Sequence, residues 1–185
     1  VLSLLVLMKS SNNLINPSNN MDAITKLQAM TPEQRSKLQW NDPMLDALAD
    51  KLEQADGLPQ YSLRALKFAE NTGYKDGKIE FSKNDSTKVS PAGAKGLMQF
   101  MDNTQKLQGG MFKHNHLDPV ESLAAASRYL KYTLNNQYKG NVIAAFADYN
   151  GGPPAANNVL AGKKPPKEET IKYLEKIKEF YKVNK

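Results

Sequence analysis

The feature that most constrains this chain is the repeated pairing of a capping residue with proline. Thr31-Pro32, Asp42-Pro43, Ser90-Pro91 and Asp118-Pro119 each put a side-chain acceptor just before a residue suited to the first turn of a helix. Gln34 stands three residues after Thr31 and Glu121 three after Asp118, which completes the capping-box pattern at both places. Asn141 opens one more helix, running to Tyr149. Stops come from Gly57, from Gly73 and from Gly151-Gly152-Pro153-Pro154. Signals this dense cut the sequence into short helices that must bury their apolar faces against one another.

Apolar spacing fills in those helices. Met21 to Met30 has a helical rhythm, and Met44, Leu45, Leu48 and Leu52 share one face of the helix opened by Asp42. Tyr61 to Glu70 reads as a helix in which Leu63, Leu66 and Glu70 stand at i, i+3 and i+7. The Asp118 signal opens a helix to about Asn135 that buries Val120, Leu123, Ala124, Tyr129 and Leu130. Ser90 to Met101 is expected to be helical, with a further turn starting at Asp102-Asn103. The last helix spans roughly Glu168 to Tyr181, with Ile171, Leu174, Ile177 and Tyr181 as its stripe. Only Lys78-Ile79-Glu80-Phe81-Ser82 alternates as a strand does, and Lys83-Asn84-Asp85 supplies turn residues. Tyr74 to Val89 is therefore expected to form a small β-hairpin or extended flap on a mainly α domain.

With 185 residues the chain is long enough for one packed core. It has no cysteine, so packing alone must hold the fold. Val1 to Met8 is apolar but too short to span a bilayer, and no basic stretch precedes it as in a complete signal peptide. It reads as the remnant of one or, preferably, as a short element packed on the body. Ser10 to Asn20 is rich in Ser and Asn and reads as a linker, which divides the chain into a segment over 1–20 and a helical domain over 21–185. The net charge of +6 favours anionic partners. Late lysines such as Lys163, Lys164, Lys167 and Lys172 fit a solvated helix face as well as a binding patch. No nucleic-acid reading motif, phosphate loop or dinucleotide fingerprint accompanies that charge. His114 and His116 stand two apart with no third histidine or cysteine, which is too little for a metal site.

Glu70 ends an apolar helical stripe. A carboxyl group in apolar surroundings can have its pKa raised to about 6, as general acid catalysis requires. After Ala69-Glu70-Asn71 come Ser90-Pro91-Ala92-Gly93-Ala94-Lys95-Gly96-Leu97-Met98-Gln99 and Leu117-Asp118-Pro119. Then follow Ala147-Asp148-Tyr149-Asn150-Gly151-Gly152-Pro153 and Glu169-Thr170 with Tyr173. This ordered set resembles the catalytic domain of the soluble-type lytic transglycosylases, which share a goose-lysozyme-like helical fold. The resemblance runs from about Leu58 to Tyr181.

The resemblance implies that Glu70 is the single catalytic acid/base, and that Asn71, Met98, Gln99, Tyr149, Asn150 and Tyr173 contact substrate. It implies cleavage of the MurNAc-β-1,4-GlcNAc bond of peptidoglycan to a 1,6-anhydro product, with no metal or cofactor. It places the activity in the bacterial periplasm or at the cell wall. The residue chemistry agrees in part: Gln99 both donates and accepts, as an N-acetyl group requires, and glycines at 93 and 96 let a polymer or another backbone approach. Met98 and Tyr173 serve equally well as core residues. Two departures stand out. Asn71 replaces the serine usual after the catalytic glutamate, and the Tyr74–Val89 flap lengthens the run between Glu70 and Ser90. A hydrolytic muramidase would need a second carboxylate, for which the flap offers Asp76, Glu80 and Asp85. An inactive wall-binding module would have no need of Glu70. The Asn/Ser-rich leading segment, the initial Val1 and the flap point to a domain of a larger assembly such as a phage virion or secretion apparatus.

Overall fold

The computed structural model describes residues 17–184, with side chains from residue 21 onward. The apolar Val1–Met8 run lies outside the described residues. In chain order the helices are α1 (Pro17–Ala29), α2 (Pro32–Ser36), α3 (Pro43–Asp56) and α4 (Ser62–Asn71). Strands β1 (Thr72–Lys75) and β2 (Lys78–Phe81) follow, and then α5 (Asp102–Lys106), α6 (Pro119–Tyr132), α7 (Val142–Gly151), α8 (Pro153–Leu160) and α9 (Glu168–Val183). The fold is a mainly helical domain with one small antiparallel hairpin, as the sequence leads one to expect.

Most helix starts form where the caps place them. Thr31 and Gln34 make a reciprocal capping box, and Asp42, Asp118 and Asn141 each accept a first-turn backbone N–H. Glu121 departs from the expected box: its carboxylate accepts from the Asn115 N–H at 2.7 Å and so ties down the preceding loop. α1 begins at Pro17, inside the stretch read as a linker. Helix α6 runs on through a π-helical turn at Thr133–Gln137. The glycines and prolines at 151–154 end α7 as expected, but Pro153 also starts α8, which has no counterpart in the sequence reading.

Ser90–Met101 is not a helix. Gly93, Gly96 and Gln99 all have positive φ (88°, 77° and 51°), so a left-handed residue interrupts the chain every third position. The segment instead forms turns closed by bridges of Lys95 to Val89 and to Phe100. Gly96 is required here: a Cβ on it would lie 2.3 Å from the His116 carbonyl oxygen.

Gly73 does not act as a helix stop either. Helix α4 passes directly into β1, and the hairpin turns on Asp76-Gly77, both left-handed (φ 50° and 74°). That pairing fits a two-residue type I′ turn.

Helix α7 lies at the centre, with residues 142–148 all buried, and packs on α6, α8 and α9. Helix α4 packs on α3 and α9. It has no cap of its own: its N-cap Tyr61 is left-handed and offers no side-chain hydrogen bond. Glu53 of α3 supplies the cap from outside, accepting from the Tyr61 and Leu63 N–H groups at 2.7 Å each. Glu53 is buried, and desolvation lifts its pKa to about 8 against the pull of those donors. Glu53→Ala leaves two buried backbone donors unpaired and is expected to cost about 2–4 kcal/mol. Urea unfolding should show a lower midpoint with an unchanged m-value.

Candidate active site

Glu70 occupies the last turn of α4, one turn beyond the fully buried Leu66 and two beyond the equally buried Leu63. The apolar face that anchors the helix thus carries the carboxylate to the edge of the core. Burial is the main influence on it and raises its pKa to about 7. Tyr173, Lys176 and Lys88 pull in the opposite direction, and Glu169 adds to the rise. The Tyr173 hydroxyl lies close enough to act on the carboxyl, yet it meets no partner at full hydrogen-bond geometry and is buried. Tyr149 also faces Glu70, whose negative charge, after burial, helps to raise the pKa of its hydroxyl.

Helix α7 delivers Tyr149 and Asn150 at its C-terminal end, where Gly151 packs against Thr170 of α9. A Cβ at 151 would meet the Thr170 Oγ1 at 2.5 Å, so glycine sets how closely α7 and α9 approach. The Tyr149 hydroxyl donates to the Met98 carbonyl at 2.8 Å, fixing the α7 end to the 90–101 turns. Its ring stands edge-on to Phe100 and Tyr129. Gln99 donates its amide protons to the Gly96 and Lys88 carbonyls, at 2.7 and 3.3 Å, which leaves its oxygen to receive another donor. Gln99, Phe100, Tyr129, Tyr149, Asn150 and Pro153 line a cavity of about 270 Å³. The Asn150 side-chain oxygen there is buried without a donor. The cleft therefore offers aromatic edges and unfilled acceptors, as a polar ring compound with N–H or O–H groups would need.

Glu70, Tyr149 and Tyr173 come together, and Gln99, Tyr149 and Asn150 share the cleft, so Tyr149 belongs to both groups. Asn71 and Met98 do not reach the cleft surface. Asn71 is fully buried and donates to the Lys67 and Leu97 carbonyls at 2.8 and 2.9 Å, stitching α4 to the 90–101 turns. The Met98 side chain is fully buried in the core, and only its carbonyl touches the site.

Among the flap acids, Asp76 sits at the exposed hairpin turn and Glu80 is exposed on β2. Asp85 is occupied with the Thr87 N–H and hydroxyl. The carboxylate whose charge bears on Glu70 is Glu169. Sequence reasoning missed Lys88 and Lys176, whose ammonium groups both bond carbonyls at the end of α4. Lys176 was readable, since it lies three residues after Tyr173 and seven after Glu169 on one helix face. Lys88, in a loop, carried no such signal.

Among the described residues no helix is long and apolar enough to cross a membrane. No solved structure matches the chain. The family model of the transglycosylase SLT domain matches residues 79–172. The match takes in Gln99, Tyr149 and Asn150, begins beyond Glu70, and stops just short of Tyr173. It covers half of the chain, and with the helical fold around α7 it places this chain in the SLT transglycosylase domain family of the lysozyme-like superfamily.

Proposed function

We propose that this domain is a peptidoglycan lytic transglycosylase in which Glu70 acts first as acid and then as base. The observation that carries this reading is a single carboxyl group, lifted by burial to about 7, beside an aromatic cleft with unfilled acceptors. A group poised near neutrality can both give and take a proton at working pH. Protonated Glu70 donates to the oxygen joining MurNAc to GlcNAc as the C1–O bond breaks, with the substrate's own N-acetyl group assisting. Glu70, now a carboxylate, takes the proton of the MurNAc C6 hydroxyl while that oxygen bonds C1 and closes the 1,6-anhydro ring. Water is not consumed, and Glu70 ends in its starting state. Gln99, Asn150, Tyr149 and Tyr173 hold the glycan beside it.

We further propose that the domain works at the cell wall as part of a larger assembly, a phage particle being the leading setting. The Asn/Ser-rich leading segment and the added hairpin support this. Proteomics of purified particles tests it.

Mass spectrometry of digested peptidoglycan should give anhydromuropeptides from the wild-type protein. A reducing-end product would establish hydrolysis instead. The same anhydro product is expected from Asp76→Asn, Glu80→Gln and Asp85→Asn, none of which removes a group acting on Glu70.

Glu70→Gln should fold normally and lose about 10²–10⁴-fold in turnover. Wild-type-like turnover in that variant would remove Glu70 from the mechanism.

The same substitution gives a pH signature in stability. Folding raises the Glu70 pKa from 4.5 to about 7, so its favourable contribution is complete below pH 4.5 and is lost as pH rises through 7. Glu70→Gln should therefore be more stable than wild type above pH 7, on the order of 3 kcal/mol. The gap should close towards pH 4.5 in thermal melts.

A further inference from the structure

The C-terminal turn of α4 is held by two lysines from separate parts of the chain. Lys88, in the loop after the hairpin, donates to the Glu70 carbonyl. Lys176, on α9, donates to the Ala69 carbonyl and to the Thr72 carbonyl at 2.8 Å, and its ammonium lies 5.7 Å from the centre of the Tyr173 ring. Both side chains are only partly exposed. Among the described residues neither lysine has a carboxylate within ion-pair distance.

Neutral donors or water could satisfy helix-end carbonyls. Holding two ammonium groups there, partly desolvated and side by side, is costly unless a negative charge forms nearby. Glu70 is the group that supplies it. We infer that Lys88 and Lys176 are positioning residues that fix the end of α4 and set how tightly Glu70 holds its proton. This rests on Glu70 being the acid/base proposed above.

The balance can be followed group by group. Burial makes Glu70 a protonated acid near neutral pH, and Glu169 favours that form. After the proton is given away, Lys88, Lys176 and the Tyr173 hydroxyl stabilise the carboxylate left behind. The coupling is mutual: burial pushes both ammonium groups down, and the Glu70 carboxylate pushes them back up. With the lysines gone, Glu70 would hold its proton to higher pH and become a poorer acid in the bond-breaking step.

The test reads the proton on Glu70 directly, without substrate. Carboxyl ¹³C NMR titration of Lys88→Met and Lys176→Met should place the Glu70 midpoint higher than in wild type by about one pH unit for each lysine removed. Lys88→Arg and Lys176→Arg, which keep the charge, should return it. Glu169→Gln should move it the other way. In turnover, the alkaline limb of the pH–kcat/KM profile should follow the same shifts. A lysine that only braced the fold would lower Tm and leave both midpoints in place, and that outcome overturns the inference.

Should a methionine variant not fold, the wild-type protein still decides. The Nζ resonances of Lys88 and Lys176 should show a step at the Glu70 midpoint that vanishes in Glu70→Gln. Absence of that step overturns the inference as well. A titration that behaves as expected in a protein releasing no anhydro product would reject the transglycosylase reading and leave the lysine coupling intact.

Discussion

The hydrogen bonds from the Tyr61 and Leu63 N–H groups to Glu53 underlie the rest of this structure. A helix whose N-cap is a left-handed tyrosine has no local acceptor for its first-turn donors. A buried carboxyl group from α3 fills that role, so the start of α4 depends on α3. The same pair of helices is tied again at Lys67, whose buried ammonium bonds the Trp40 carbonyl and pairs with Asp46 at 2.7 Å. With its start fixed by α3 and its end fixed by lysines from elsewhere, α4 presents Glu70 on a rigid support. Side chains held by secondary structure keep their geometry better than those on loops.

The cleft is built differently. Its walls come largely from the end of α7 and from the 90–101 turns, joined by the bond from Tyr149 to Met98, while Asn71 ties those turns back to α4. The turns keep their shape because left-handed residues recur at 93, 96 and 99 and because Gly96 lets the His116 carbonyl close in. Arg35 performs a similar service at a distance. Its guanidinium clasps both oxygens of Asp118, the α6 cap, while also bonding the Leu27 and Met30 carbonyls at and beyond the end of α1. One side chain thereby closes off a helix end and joins the leading helices to the body.

What the sequence discloses and what it hides divide along physical lines. Caps act locally, so Thr31, Asp42, Asp118 and Asn141 could be read directly, and the helices they open are present. The Ser90–Met101 block was misread because its proline suggested a helix, whereas its spaced glycines decide the backbone. Asp76-Gly77 carried the true hairpin signal, though Lys83-Asn84-Asp85 drew the attention. In the candidate site, Glu70, Gln99, Tyr149, Asn150 and Tyr173 could be singled out from residue type and order, and the fold gathers them around Tyr149. The inward turn of Asn71 and Met98 was not, because it depends on which tertiary partner lies behind each residue. Lys88 was hidden for the same reason: its role exists only once the loop after the hairpin folds back on α4.

The hairpin leaves α4 without a spacer, since Asn71 ends the helix and Thr72 begins the strand. Its far end is moored as well. The Asn71 carbonyl receives the Ser82 hydroxyl, the Trp40 indole N–H donates to the Ser82 carbonyl, and Trp40 stacks on Phe81. A flap anchored at both ends to the acid's own helix is poorly suited to swing as an independent door. It is better understood as a lever arm: a load on its tip at Asp76-Gly77 is passed along two paired strands into the turn that bears Glu70. On the function proposed above, a glycan strand resting on that arm would bear on the turn that carries Glu70, which makes the hairpin a mechanical extension of that helix and more than a fringe on the cleft.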